Sequence, residues 1–587
     1  MTSSRIRCVG IADADRARVA AFTARAAERG QRVHDAPAGT VAVVWDDAAT
    51  PLIALATHED GSFVVVDGEL FAAEPPAGAP TAGDVLGSLR RGGPAALLEH
   101  HFEAAITWWD ASTERLTVLR DHGGVVQLLV GRAGSTTVWS TDPDDLLAAG
   151  VAREPDRLGI DQLATVGWVT PPRSYWRDVQ TVAAGHLATI EPGRPAALER
   201  WYAHTGTPRV DAPIDELATR FTDVTTTAIE RRAGARLLGA TLSAGVDSTF
   251  LVAIARRVLD LHVETFTFRY HGYEGQLNED EIAADTASAL GAPHTVIHVR
   301  PEDLSSRFSA MVAAFQSPIT FGVHSFAQEA IADAGVDVVL GGSDPGFWPV
   351  ADRRAEIVAR ARALPAGVRT TAASLASRLR QVPKLGAAHW AMLHATHPLP
   401  NAYLSRAERR AMFGRDAADA AERDLGRAIG AATASYADEV PWLRVAFTFE
   451  QHAVPQYVGQ WNHRWARAHG LAIRAPFWDH DVMAFADRRW PWAGDKPMIR
   501  VAASRLVGDR AYHPKIYQEV PLTHWFRGPL RDFVEDGLSR ERVERAGLFD
   551  HAAVRALVDD HLAGNDRHWP LWQLLTAVEW AHQLRGR

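Results

Sequence analysis

The stretch Thr241 to Thr249, TLSAGVDST, holds the densest set of groups suited to one chemistry. An apolar run, Arg236 to Thr241, leads into it, and apolar residues at helical spacing, Phe250 to Leu261, follow. That reads as a strand, a tight turn of small residues and a helix. Such a turn presents backbone N–H groups and the positive end of a helix dipole to an anion. Ser243, Ser248 and Thr249 add hydroxyl donors. Asp247 carries the wrong charge for a phosphate site unless a metal intervenes, and Mg2+ bridges carboxylates to phosphate oxygens. A plain strand–turn–helix junction with a capping Asp or Ser fits the same residues. No lysine follows Gly245, which excludes the G-x-x-x-x-G-K-[ST] nucleotide loop.

A second run of this kind is Val338 to Asp344, VVLGGSD, an apolar strand ending in small residues and a carboxylate. Two carboxylates at neighbouring strand ends, Asp247 and Asp344, can share one Mg2+. An Asx turn before Pro345 is the plainer reading of Asp344. The run also approaches G-x-S-x-G, but Pro345 stands where the last Gly belongs and no oxyanion motif is visible, so a serine hydrolase is not favoured.

The elements that must position these groups fall into two regions. Residues 1–205 contain short strand-like runs at 40–45, 51–57, 63–71, 104–110, 115–121, 125–131 and 136–141, with a helix at 85–99 and Gly-containing turns between them. This predicts a two-sheet sandwich with helical trim. After a Pro- and Gly-containing linker near 203–213, residues 206–587 begin as alternating helix and strand: helices 214–232, 248–259, 279–290 and 323–334, strands 236–241, 263–268, 295–299 and 336–340. Alternation of that kind predicts a doubly wound α/β sheet, whose ligands sit at the C-terminal strand ends. From about 350 the chain reads as mostly helical, with connections at 362–388.

Composition bounds the function. The chain has 587 residues, 47% hydrophobic and 23% charged, enough for more than one buried core. A formal net charge of -9 gives no sign of nucleic-acid binding. Cys8 is the one cysteine, so disulfides within the chain and cysteine-cluster metal sites are excluded. No apolar run long enough to span a membrane and no signal peptide are visible, and a soluble, cytoplasmic protein is expected. Nineteen Trp are many; Trp builds cores and also grips amphipathic ligands.

LSAGVDST resembles S-G-G-x-D-S, the pyrophosphate loop of enzymes that split ATP into AMP and pyrophosphate, with Ala244 in place of the second residue. Further segments follow in the order of one family. FVVVDGELF, AAITWWD, Arg120-Asp121-His122-Gly123-Gly124 and VWSTDPDDLL resemble the glutamine-amidotransferase domain of class B asparagine synthetases. Val338 to Asp344 resembles that family's VVLSGEGADE. His469 to Asp479, HGLAIRAPFWD, resembles H-G-L-E-V-R-x-P-F-L-D of its C-terminal helices, and Arg474 with Asp479 suggests an internal ion pair. Lys496 to Arg500 and His513 to Leu522 resemble K-x-L-L-R and R-P-K-x-G-F-x-V-P-L.

The resemblance implies an N-terminal Ntn-type amidotransferase-like domain and a C-terminal ATP-pyrophosphatase domain with a helical extension. It implies ATP and Mg2+ as cofactors, with nucleotide contacts from Leu242, Ser243, Ala244, Gly245, Val246, Asp247, Ser248, Thr249, Phe268, Gly342 and Lys515. It places the metal on Asp247 and Asp344 and sets Lys515 against the α-phosphate and the developing oxyanion. Glu450 and His463 are the candidates for the general base.

Departures from the family redirect the substrate. The family's nucleophile is a cysteine freed at residue one, whereas residue two here is Thr2 and Cys8 would need seven residues removed. The oxyanion-hole Asn is replaced by Asp67, whose charge would repel an oxyanion. A Thr2 nucleophile using its own amine remains chemically feasible. Pro345 to Pro349 replaces the family's ELFGGY, which alters the acceptor pocket. These features point to the lasso peptide cyclases of the family, which join a peptide's N-terminal amine to its own Asp or Glu side chain. The Trp- and His-rich segment Trp442 to Trp465 would then meet the peptide. The partners implied are a leader-cleaved core peptide, a leader-binding protein and a leader peptidase, with no nucleic acid and no membrane. The alternatives are an asparagine synthetase or β-lactam-forming ligase acting on a small amino acid, and an inactive synthetase-like scaffold that only binds peptide.

Overall fold

The structure is a computed structural model. It describes residues 7–46, 52–75, 78–203, 212–234, 237–272, 279–320, 322, 325–326, 328–342, 360–361, 363–365, 367–369, 371–372, 403–432, 458–486, 496–513 and 520–586.

Alternating apolar residues in the first third build two antiparallel sheets. In chain order the strands are β1 (Cys8–Ala12), β2 (Arg32–Asp35), β3 (Val41–Trp45), β4 (Ile53–Thr57), β5 (Phe63–Phe71), β6 (His101–Asp110), β7 (Arg115–Arg120), β8 (Leu129–Ala133), β9 (Thr136–Ser140), β10 (Val179–Thr181), β11 (His186–Ile190) and β12 (Ala197–Arg200). One sheet has the order β10-β8-β9-β1-β3-β2 and the other β12-β11-β7-β6-β5-β4. Their facing side chains, among them Val41, Val43, Trp45, Phe63, Val65, Trp109, Val118 and Trp139, form one shared core. The expected sandwich is therefore present. The predicted strand at 125–131 lies later, as β8. There Arg120 draws the 124–126 backbone into hydrogen bonds with its guanidinium, so those residues do not enter a ladder.

The second region builds a five-stranded parallel sheet from β13 (Leu238–Thr241), β14 (Val263–Tyr270), β15 (His294–Val299), β16 (Val338–Leu340) and β17 (Ala472–Arg474), in the order β15-β14-β13-β16-β17. Successive residues of the central strands point to opposite faces. Val338 and Leu340 join Leu238 and Ala240 beneath helices Ile214–Ala233, Val246–Ala253 and Pro497–Val507. Val339 turns the other way and packs with Phe266, Ile331, Ala466 and Leu471. Both faces are covered, as a parallel sheet requires. The β17 strand adds a strand to the region from about 350 that reads as mostly helical: Ala472 to Arg474 pair in register with Val338 to Leu340. Three apolar or amphipathic residues are too few to show strand periodicity. The helix expected at 248–259 starts earlier, at Val246, and is regular only to Ala253, after which Ile254–Val258 forms one wider turn.

The remaining helices, ending in His568–Gly586, bury Trp465, Trp525, Trp572 and Trp580. Much of the tryptophan content is thus spent on core. Among the described residues no helix is long and apolar enough to cross a membrane.

Candidate active site

The loop that follows β13 lies at the C-terminal edge of the parallel sheet and lines a cavity of about 290 Å³. Its walls include Leu242, Ser243 and Ser248 from the loop, Phe266 to Phe268 from β14, Glu279, Gln328, and Gly341 with Gly342 beyond β16. Here Leu242, Ser243, Ser248, Phe268 and Gly342 of the expected nucleotide set come together. Ala244, Gly245, Val246, Asp247 and Thr249 belong to the same turn and to the first residues of the helix, Val246–Ala253.

The turn is held by its own side chains. Leu242 N–H donates to Phe266 C=O at 2.8 Å, and the Thr267 hydroxyl donates to Leu242 C=O, which tie the loop to β14. Ser243 N–H donates to Ser248 Oγ at 3.1 Å, Gly245 N–H to Ser243 Oγ at 3.0 Å, and Ala244 N–H to Glu279 Oε2 at 2.9 Å. Three successive backbone donors are therefore each taken by a different side-chain oxygen, and a run of successive N–H groups is the raw material of an anion-binding nest. Gly342 is needed where it stands. A Cβ there would lie 3.1 Å from Ser248 Cβ and 3.2 Å from its Cα, so a side chain would press the strand end against the helix.

Asp247 meets a cation that the sequence reading did not assign. Lys496 Nζ lies 2.6 Å from Asp247 Oδ2, with both side chains mostly buried. Lys496 directly precedes helix Pro497–Val507 and adopts a left-handed conformation, φ 53°. Its signal in the sequence is the KPMIR run, which resembles the family's K-x-L-L-R. Glu279 was missed as well: it opens a predicted helix, where an acidic residue reads as a capping charge.

Asp344, Glu450 and Lys515 lie outside the described residues, as do most of Trp442 to Trp465. The described end of that segment places one of its residues in the core. Trp465 is buried and stacks on Phe315, with ring centroids 5.6 Å apart, so it is core rather than peptide contact. His463 is not in the loop cavity. It lines a separate interdomain cavity of about 230 Å³ with Arg7, Thr141, Asp142, Gln316 and Arg467. Burial, then Arg467 and Arg464, pushes its pKa down to about 3, which makes it too weak a base to take a proton from an ammonium group.

Asp247 is the one described residue of the proposed metal pair. Its carboxylate lies against Lys496, so a metal would share that carboxylate with an ammonium group. Among the described residues the group with metal-like spacing is His101, His480 and Asp481, far in function from the loop and tied to Arg231 and Asp479.

The amidotransferase-like pocket keeps a cysteine without the means to use it. Cys8 begins β1 as an internal residue, and its N–H donates to Asp145 at 2.9 Å. Burial, then Asp67 and Asp145, pushes the thiol well above its ordinary value. A thiol so placed is a poor nucleophile. Asp67 accepts from the Thr141 hydroxyl at 2.5 Å and pairs with Arg467 at 3.4 Å, so it presents no donor to an oxyanion.

Arg474 and Asp479 do not pair with each other, contrary to the sequence reading. Each reaches across to the sandwich. Arg474 forks onto Glu69 at 2.5 and 2.9 Å. Asp479 takes Arg232 at 2.6 Å, Arg231 at 3.0 Å and His101 at 3.2 Å. Their spacing of five residues around Pro476 sends them to different strands of the sandwich.

A parallel sheet with an amide-rich loop at a helix start, docked on an Ntn-type sandwich, defines an amidotransferase-type two-domain synthetase. The asparagine synthase family model matches residues 220–583, and the glutamine amidotransferase domain model matches residues 84–202. The chain belongs to the asparagine synthase family, and it is an ATP-dependent, amide-forming carbon–nitrogen ligase. A putative glutamine-hydrolysing asparagine synthetase of Mycobacterium tuberculosis is 25% identical over 533 residues, covering 81% of this chain and 76% of that protein. Asparagine synthetase 1 of Bacillus subtilis is 21% identical over 510 residues, covering 80% and 76%. Among solved structures, a glutamine-dependent NAD+ synthetase from Acinetobacter baumannii in complex with ADP is 16% identical, covers 32% of this chain and 40% of that one, and has a TM-score of 0.18. At that score the likeness bears no weight.

Proposed function

We propose that the protein is a lasso peptide cyclase. It would adenylate an Asp or Glu side-chain carboxylate of a leader-cleaved core peptide and close a macrolactam with the peptide's own N-terminal amine. A carboxylate oxygen attacks the α-phosphorus of ATP and pyrophosphate leaves. The amine nitrogen then attacks the acyl carbon, AMP leaves, and an isopeptide bond remains. The observation that carries this reading is the state of the amidotransferase pocket. Cys8 is internal and its thiol is held protonated, and Asp67 stands where an oxyanion donor is needed. Ammonia from glutamine is thereby an unsuitable amine, and an amine carried by the substrate itself is the simplest replacement.

The loop Leu242–Thr249 would hold the polyphosphate through its N–H groups and hydroxyls, with Phe268 and Gly342 bounding the nucleotide. Asp247 with Asp344 would hold Mg2+, which supplies charge neutralisation on the pyrophosphate. Lys496 holds Asp247 in place, and Lys515 is proposed to face the α-phosphate. Holding amine and acyl carbon in one folded peptide would supply much of the rate, since orientation replaces a bimolecular encounter. A complex with a leader-binding protein and a leader peptidase, and a cytoplasmic location, belong to the same proposal.

A second reading is an asparagine synthetase or a related ligase on a small amino acid, favoured by the names of the relatives that match over four-fifths of the chain. Pyrophosphate release from ATP separates the two. Release with peptides bearing a free N-terminus and an internal Asp or Glu is the expected result, with a product lighter than the peptide by one water. Release only with aspartate plus ammonia or glutamine would replace the cyclase reading with the second. No release with any substrate would leave a peptide-binding scaffold.

A further inference from the structure

The amide of Ala244 lies in the middle of the loop, where a phosphate oxygen would be received, yet it is already taken. Its partner is the Glu279 carboxylate, 2.9 Å away. The neighbouring amides of Ser243 and Gly245 are satisfied by neutral hydroxyl oxygens of Ser248 and Ser243. Glu279 is thus the one anion among the three side-chain acceptors, and it forms a charge-assisted bond, the stronger kind. It is buried, at 8% exposure, and it lines the loop cavity together with Ser243, Ser248 and Gly342. Its negative charge also reaches Tyr270, whose hydroxyl it helps push above its ordinary value after burial. A carboxylate in the wall of a cavity meant for polyphosphate repels that ligand and competes for its donor.

We propose that Glu279 is a stand-in anion, a positioning residue that holds the Ala244 N–H in the nucleotide-free protein and surrenders it when the phosphates of ATP arrive. This rests on the reading of Leu242–Thr249 as the nucleotide loop. Glu279 keeps the Ala244 amide pinned in the turn when no ligand is there, which preserves the loop's shape. It also weakens the hold on pyrophosphate, since breaking the Ala244–Glu279 bond has to be repeated at each binding event and is recovered at each release. Binding and product release are thereby coupled to one side chain outside the loop.

The test measures affinity for a non-hydrolysable ATP analogue with Mg2+, and for Mg-pyrophosphate, by titration calorimetry on the full chain. Glu279→Gln keeps the size and an acceptor oxygen but removes the charge. It is expected to bind both ligands about tenfold more tightly than the wild type, the order of the difference between a charge-assisted and a neutral hydrogen bond. Glu279→Asp, too short to reach Ala244, should tighten binding in the same direction by a smaller factor, and serves if the Gln variant does not fold. A purely structural brace would give the opposite sign, with weaker binding and a lower melting temperature in both variants. A Mg2+-ligand role would also weaken binding, and only when Mg2+ is present. Unchanged or weaker binding in the folded variants overturns the proposal. If the wild type itself binds neither ligand, the nucleotide-loop reading fails instead.

Discussion

Asp247 and Lys496 come from opposite halves of the synthetase region and meet at 2.6 Å beside the loop, mostly out of solvent. A buried charge without its partner is costly, so each holds the other in the site. Asp247→Ala is expected to abolish ATP-dependent pyrophosphate release with any substrate that supports it in the wild type; normal turnover would sink the assignment of the loop. Lys496→Met should cut the rate by about a hundredfold or more, as losing one preorganised charge at a reacting centre does, and should lower the melting temperature because Asp247 is left buried without its partner. Cys8→Ser should leave that rate unchanged, because the buried thiol touches nothing the reaction uses. Asp247 was legible in the sequence because a carboxylate in a hydroxyl-rich turn conflicts with phosphate and demands an explanation. Lys496 and Glu279 were not, since a lone Lys before a Pro and a Glu opening a helix both have ordinary surface roles. Only their positions in space, 249 residues from Asp247 and 35 from Ala244, give them another.

At the level of elements, the loop is precise because two strands and a helix close on it. The end of β16 passes so near the helix Val246–Ala253 that a side chain at Gly342 would have to push Ser248 back by a few tenths of an ångström. Gly342→Val should therefore push the strand end from Ser248 and open the nest. An overpacked contact costs about 1–3 kcal/mol, and the analogue of ATP should bind about tenfold or more weakly, read by the same calorimetry, with the fold retained by circular dichroism. The central strands β13, β14 and β16 could be read in advance, since buried parallel strands are short apolar runs followed by small residues. The loop's place at a C-terminal strand end followed from that alternation. β17 could not be read, because three residues carry no period and its pairing with β16 closes over more than a hundred residues of chain. β1 and β11 were likewise missed: β1 has no Gly or Pro turn directly after it, and HLATI of β11 alternates too weakly to read as a strand although Gly185 and Pro192-Gly193 frame it.

The whole molecule is joined by a buried ionic seam, and that seam makes a prediction about pH. Arg232 sits between Glu103 of β6 at 3.0 Å and Asp479 at 2.6 Å, all three nearly inaccessible. Burial opposes ionisation of Asp479, but Arg232, then His101 and Arg231, hold its carboxyl well below the usual range. Burial drives Glu103 the other way, to about 7, despite Arg232. Beside them His122 Nε2 donates to Trp478 C=O at 3.0 Å, because a carbonyl only accepts, so Nε2 carries the proton. Burial, then His480, pushes His122 down to about 3. Between that value and the ordinary 6.5 the unfolded chain binds a proton that the folded one refuses, so stability due to His122 is present above pH 6.5 and is lost as pH falls towards 3. Glu103 has the opposite sign, because the folded state retains its proton up to about pH 7 and loses stability as pH rises through that range. The two nearly offset in the wild type between about pH 4.5 and 6.5. Removing one exposes the other. In His122→Gln, whose amide can still donate to the Trp478 carbonyl, the stability difference from wild type should change by up to about 1.4 kcal/mol per pH unit across this window, with the variant relatively more stable in acid. Chemical denaturation at a series of pH values checks it: a difference independent of pH would mean that burial does not shift His122 in the folded protein, and would overturn this account of its role.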